Sequence, residues 1–456
     1  MSAANNFTLE NSSNQSAGDA DIAAKVQATA VRERQKSLML RAWIVSGLFF
    51  MALPGTMLGF TNLIAISAHH GLASMPAAWI QGHGHAQMFG WIGTFILGIG
   101  FYSQPTRDRS VLRIPLTCFV LWTAGVALRW VANIYGLHWR ALFVVSAVAE
   151  FITLLLFLSA ARHHKLPANE NEAKPRIELW MTSVFLGTFG FLAGITFNLV
   201  ECVRLAAAGE TGAFPHDLDQ RYLVLLAWGF LAPTVWGFSA RWLPTFLGIG
   251  RPRERVFRVA LMTDIAGIAA GLCGLSLTAA VLLLCASIAI VIGLRLVDQP
   301  RNKAKVQGIH PSFPAFIRIA YLWMVVAAAM SIWAAVADVN GGIWGASRHA
   351  LTVGFAATMV FAIGPRILPH FGGIYNLYSK RLMFLSLLIL QAGCTLRVSS
   401  EPMAYEGLLP FAWKVLPVSA SLELTAVLLF AVNLVMTYAR GQTFFALLGI
   451  PPRSVA

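Results

Sequence analysis

The sequence is poor in charge. Only 12 % of its 456 residues are Asp, Glu, Lys or Arg, about half the share of an ordinary soluble domain. Because 57 % are hydrophobic, those side chains must meet lipid or one another. Cysteine is equally scarce: Cys118, Cys202, Cys273, Cys285 and Cys394 all fall in or beside apolar stretches and none forms a CxxC pair. They argue for neither a disulfide framework nor a thiolate metal site, and each thiol is expected to pack as a small buried hydrophobe. There is no alternation of apolar and polar residues of the kind that marks barrel strands. No linker exceeds about 20 residues, so there is no room for a separate soluble catalytic module.

What the chain has instead is a series of apolar runs of about 20 residues, the length that crosses a hydrocarbon core of roughly 30 Å as a helix. They fall at 41–67, 84–102, 112–134, 138–161, 178–205, 221–247, 257–275, 277–297, 314–337, 347–368, 381–398 and 411–438. The division of 257–297 into two helices rests on Gly274-Leu275-Ser276 alone. The expected fold is therefore all-α, a polytopic membrane bundle of about 12 transmembrane helices. Residues 1–38, rich in Ser, Asn, Ala and Gln, are expected to form a disordered cytoplasmic tail. Residues 39–440 form the membrane domain and 441–456 a short cytoplasmic tail.

The formal charge of +14 raises the question of a nucleic-acid partner. The cations lie in alternate loops, which is how a bilayer orients helices, and they leave no basic groove for a polynucleotide. With the N-terminus cytoplasmic, the inside loops carry Arg107, Arg109 and Arg113; Arg162, Lys165, Lys174 and Arg176; 251–258; 295–318; and Lys380 and Arg381. Roughly 26 of 34 cations fall inside, which supports twelve spans with both termini cytoplasmic.

Chemistry is concentrated where Gln81-Gly-His-Gly-His-Ala-Gln-Met-Phe-Gly90 opens the second span, at the outer face. Imidazole is costly in lipid unless it is hydrogen-bonded, paired or bound to a metal. Histidine is also the usual axial ligand of b-type haem, whose flat macrocycle fits between helices. His83 and His85 point about 200° apart on a helix, so one of them needs a distant partner. Ser347-Arg-His-Ala-Leu-Thr-Val-Gly354 supplies His349 at the start of the tenth span and at equal depth, the placement that bis-histidine ligation of haem requires. His370 closes that span about 31 Å from His349 and belongs to another site. Beside it Arg366 is placed to pair with a propionate or phosphate, or simply to mark the inner side. Arg129, Glu150, Glu201, Arg241, Asp264, Asp338 and Glu423 are ionisable within spans and are functional candidates on that ground.

The H-x-H-x-x-M-F-G block at His83 to Gly90, Arg348-His-Ala-Leu-Thr-Val-Gly354, and Arg366 to His370 together resemble the NnrS family. The resemblance implies a twelve-span protein of the bacterial inner membrane that contains haem and copper and takes part in the nitric oxide response, nitrosative stress and denitrification. It makes His83, His85, Arg348, His349, Arg366 and His370 the cofactor-binding candidates: His85 and His349 for haem iron, His83 and His370 for haem or copper. Ala86 stands where the family carries an acidic residue, and the spacing from Arg366 to His370 is one residue shorter than the family's. The first block also resembles the second span of haem-copper oxidase and nitric oxide reductase catalytic subunits, which use histidines in spans six and seven for a second metal. Those two spans contain no histidine here.

The reading is thus a haem-binding membrane protein that handles nitric oxide, redox-active with an electron donor in the periplasm or membrane. Two other classes stay open: a divergent oxidase-like oxidoreductase, and a transporter without haem, with helices broken near Pro54-Gly55 and Pro233 around a midplane site.

Overall fold

The structure, a computed structural model, describes residues 4–104, 113–162, 177–209 and 211–447. Inside-loop residues Arg107, Arg109, Lys165, Lys174 and Arg176, and the last nine residues of the C-terminal tail, lie outside these. Among the described residues every regular element is helical.

The helices join into twelve rods: α1 (residues 4–69), α2 (77–103), α3 (Arg113–Tyr135), α4 (Trp139–Arg162), α5 (Leu179–Ala208), α6 (His216–Leu247), α7 (Glu254–Leu272), α8 (Ser276–Gly293), α9 (Phe313–Ala337), α10 (Gly342–Phe371), α11 (Lys380–Tyr405) and α12 (Ala412–Leu447). Ten of them are long and apolar enough to cross a membrane, which makes the chain a multi-pass, all-helical membrane protein by length and composition. The other two are α2, diluted by glycine, histidine and glutamine, and α7, which carries Glu254, Arg255, Arg258 and Asp264. The expected break between α7 and α8 is present, at Gly274 with φ +80°, a conformation in which glycine avoids Cβ strain.

Some boundaries differ from those that apolarity predicts. The first helix begins at Ala4, within the segment expected to be a disordered tail. Its Ala, Gln, Lys, Arg and Glu residues are good helix formers and continue the first span outward. The ends of α2, α6, α10 and α11 also run beyond their apolar cores. These extensions are polar, with Arg397 and Glu401 of α11 buried in the bundle and His216 and Asp217 of α6 exposed, so hydropathy loses them.

Each rod packs against the next along the chain, and α12 closes back onto α1. Consecutive rods run antiparallel, and α2, α6 and α10 all contribute to the lining of one interior cavity. Four rods contain a wider π-turn: α1 at Met51–Met57, α2 at Ala86–Gly93, α6 at Leu225–Leu231 and α10 at Ala350–Ala357. Such turns leave backbone groups free for other partners and collect at functional sites. In α1 the cause is local, because Pro54 has no N–H to donate.

The loops between α6 and α7 and between α8 and α9 knit one end of the bundle. Arg253 and Arg295 both bind Asp298, at 3.1 and 2.9 Å, and Arg295 Nε donates to the Arg251 carbonyl.

Candidate functional site

The four rods with π-turns surround a cavity of about 350 Å³ at the end of the bundle opposite those basic loops. Residues of α3, α9, α11 and α12 complete its wall. His83 of α2 and His349 of α10 both face it, each about two helical turns inside its own rod.

The two histidines are held alike. His83 Nδ1–H donates to the Gly55 carbonyl, 2.9 Å, a group that belongs to the π-turn of α1. His349 Nδ1–H donates to the Gly345 carbonyl of its own helix, also 2.9 Å. A carbonyl oxygen only accepts, so the proton of each neutral ring is on Nδ1 and the lone pair is on Nε2. No hydrogen bond occupies either Nε2 among the described residues. That is the tautomer and orientation of a metal-ligating histidine whose second nitrogen is fixed by the protein. Beside His83, Gly84 lines the cavity, and a Cβ there would meet nothing within 4 Å.

Three arginines reach the same cavity. Arg129 of α3 is 3 % exposed, sits 3.8 Å over the Phe143 ring, and donates one hydrogen bond, to Cys202 Sγ. Its Nε and one terminal nitrogen of Arg348 are buried without a hydrogen-bond partner. Arg397 of α11 pairs with Glu401, with contacts of 3.1 and 3.0 Å, and its other terminal nitrogen is buried without a hydrogen-bond partner. Glu401 Oε2 in turn lies 3.4 Å from His349 Nδ1. Asp219 and Glu423 add two further carboxyl groups to the lining.

Apolarity ends the eleventh span at residue 398, which splits this pair: Arg397 lies one residue inside that limit and Glu401 three beyond it. The helix runs on to Tyr405 and buries both. Their i, i+4 spacing was the available signal. Similarly, α10 begins at Gly342, earlier than expected, because Asp338 caps it. The carboxylate accepts from the Gly341 and Trp344 N–H groups, both at 2.6 Å.

His85 turns away from His83, as their spacing requires. Its Nε2–H donates to Glu150 Oε1 of α4 at 2.8 Å, and its ring stacks on Phe89 at 4.4 Å. Asn198 and Ser146 hold the same carboxylate, at 3.2 and 3.3 Å. The nitrogen that would ligate iron is thus occupied, and of the two candidates on α2 it is His83 that presents a free one.

His370 and Arg366 do not line the cavity. His370 is exposed, with its ring 5.1 Å from that of Tyr375. Arg366 donates to the Lys305 carbonyl and covers the Phe246 ring at 4.1 Å. Among the described residues no three His, Cys, Asp or Glu side chains gather as a metal cluster. Of the remaining candidates, Arg241 stacks on Trp180, Glu201 pairs with Arg204, and Asp264 is fully buried with neither oxygen bonded.

These features define a multi-pass helical membrane protein with an interior cavity bearing two similarly held histidines. Residues 216–439, from the first residue of α6 into α12, match a family described as a domain of unknown function (DUF8744). The match includes Arg348, His349, Arg397 and Glu401 and leaves out the histidines of α2. No curated protein matches the chain.

Proposed function

We propose that the protein binds haem b between α2 and α10 as an NnrS-type protein of the bacterial inner membrane, with His83 and His349 as the residues that would hold its iron. In this reading all twelve rods cross the bilayer, both termini are cytoplasmic, and the cavity lies toward the periplasm. One observation carries it: two histidines on different helices face one cavity, each with Nδ1 bound to a carbonyl and Nε2 free.

The surrounding residues fit the group. Gly84 leaves space for a flat face, the apolar lining suits a macrocycle, and Arg129 and Arg348 have guanidinium donors to spare for propionates. Bound there, haem would supply a one-electron couple, and two histidine ligands favour electron transfer over ligand chemistry at that iron. The chain's own part is to fix the imidazole orientations, hold the two carboxylates and exclude water. Nitric oxide handling rests on the family resemblance, and a redox role calls for an electron donor in the periplasm or membrane. Copper, which the resemblance also implies, lacks comparable support from the side-chain arrangement.

Purified from haem-replete cells, the protein should show a Soret band with low-spin α and β bands, and His349→Ala should abolish the low-spin form. A well-expressed protein with no Soret band would instead favour the second reading, a transporter. For that reading the relevant observation is a charged cavity ringed by four helices with π-turns.

A further inference from the structure

The two histidines differ in one respect. His83 has a carbonyl alone at Nδ1, whereas His349 has the Gly345 carbonyl at 2.9 Å and, in addition, a carboxylate oxygen of Glu401 at 3.4 Å. Glu401 is 3 % exposed and Arg397 is 7 % exposed, so the charges of this pair are little screened by water. Close approach of α10 and α11 makes the contact. A Cβ on Gly345 would collide with Glu401 Oε1, and one on Gly342 would lie 2.5 Å from Tyr405 Cβ. Any larger residue at Gly345 would drive the carboxylate away from the ring.

We infer that Glu401 is a positioning residue for His349 and tunes its donor strength, with Arg397 as the opposing charge. A carboxylate near Nδ1–H draws the proton toward itself and makes Nε2 more electron-rich, which favours the oxidised form of a bound iron. Arg397, in contact with both carboxylate oxygens, withdraws part of that charge. The helical carbonyl of Gly345 fixes the orientation of the ring independently. Orientation and electrostatic tuning therefore come from different groups, and substitutions can separate them.

The inference rests on the haem reading, and redox titration of the full-length purified protein tests the two separately. Glu401→Gln keeps the side-chain shape and removes the charge. It should retain the low-spin spectrum and raise the reduced-to-oxidised ratio at fixed poise on the order of tenfold. Arg397→Gln frees the carboxylate and should shift the ratio the opposite way. A merely structural pair would produce shifts of one sign, or loss of haem from both variants. Shifts of the same sign, or none, with haem intact would overturn the role of Glu401 and leave the haem reading standing. Wild-type protein without haem would overturn both.

Discussion

Gly59 of α1 and His83 of α2 are in direct backbone-to-ring contact: a Cβ on Gly59 would lie 2.6 Å from Cε1 and 2.7 Å from Nδ1 of the imidazole. Four residues earlier, Gly55 gives Gln87 the same close approach and supplies the carbonyl that binds His83. Small residues spaced by four bring the two helices together, and the π-turn frees the carbonyl at the place where the ring arrives. His83 is therefore aimed by α1 as much as by its own helix.

Gly59→Ala tests that dependence. The ring must move, at an overpacking cost of about 1–3 kcal/mol. Haem per protein, measured by pyridine haemochrome, should fall about tenfold or more at limiting haem while the helical circular dichroism is unchanged. Gly84→Ala leaves the His83 ring in place but puts a methyl group into the space assigned to the haem face, and should lower haem content as well.

His85 and Glu150 call for a stability measurement. Glu150 is fully buried and accepts from His85, Asn198 and Ser146. Glu150→Leu leaves those donors unpaired and should lower stability by about 3 kcal/mol, read as a lower melting temperature in detergent. With His83 as the proposed ligand on α2, the α and β bands should not change. A lost low-spin spectrum in a folded His85→Gln variant would contradict the assignment of His83.

Asp264 predicts the opposite sign. Its carboxyl is fully buried in α7 and neither oxygen is hydrogen-bonded. An apolar residue of similar size removes an unmet desolvation cost of about 1–3 kcal/mol. Asp264→Leu should therefore raise the melting temperature, and Asp264→Asn should change it little. A large loss of stability from the leucine would show that Asp264 has a partner in the working protein.

Orientation can be read with reporter fusions. Alkaline phosphatase joined at Gly136, Gly274 or Gly407 should be active, and at Asp298 or Asn376 inactive, if twelve spans start from a cytoplasmic N-terminus. Gly274 and Asp298 are the decisive pair, since they bracket α8 and follow α7, whose charges keep it from the set of apolar spans.

Much of this was present in the sequence because membrane helices announce themselves locally. A run of apolar residues satisfies its own backbone hydrogen bonds whatever its neighbours are, so the positions of α1 to α12 follow from composition. Equal depth of His83 and His349 follows from those positions, and so does the divergence of His83 from His85, which is helix geometry alone. Hydropathy measures contact with lipid, however, and is blind to polar residues sheltered inside a bundle. For that reason it stopped between Arg397 and Glu401 and started α10 after its Asp338 cap.

Composition and spacing thus determined the all-helical membrane architecture and the two helices that carry the site. Which histidine of α2 presents a free nitrogen was decided only by tertiary structure. Glu150, 65 residues away on α4, takes Nε2 of His85, while the Gly55 carbonyl on α1 holds the far side of His83. A hydrogen bond between helices depends on how separate rods pack together, and no local pattern in one helix encodes the partner that another helix will bring.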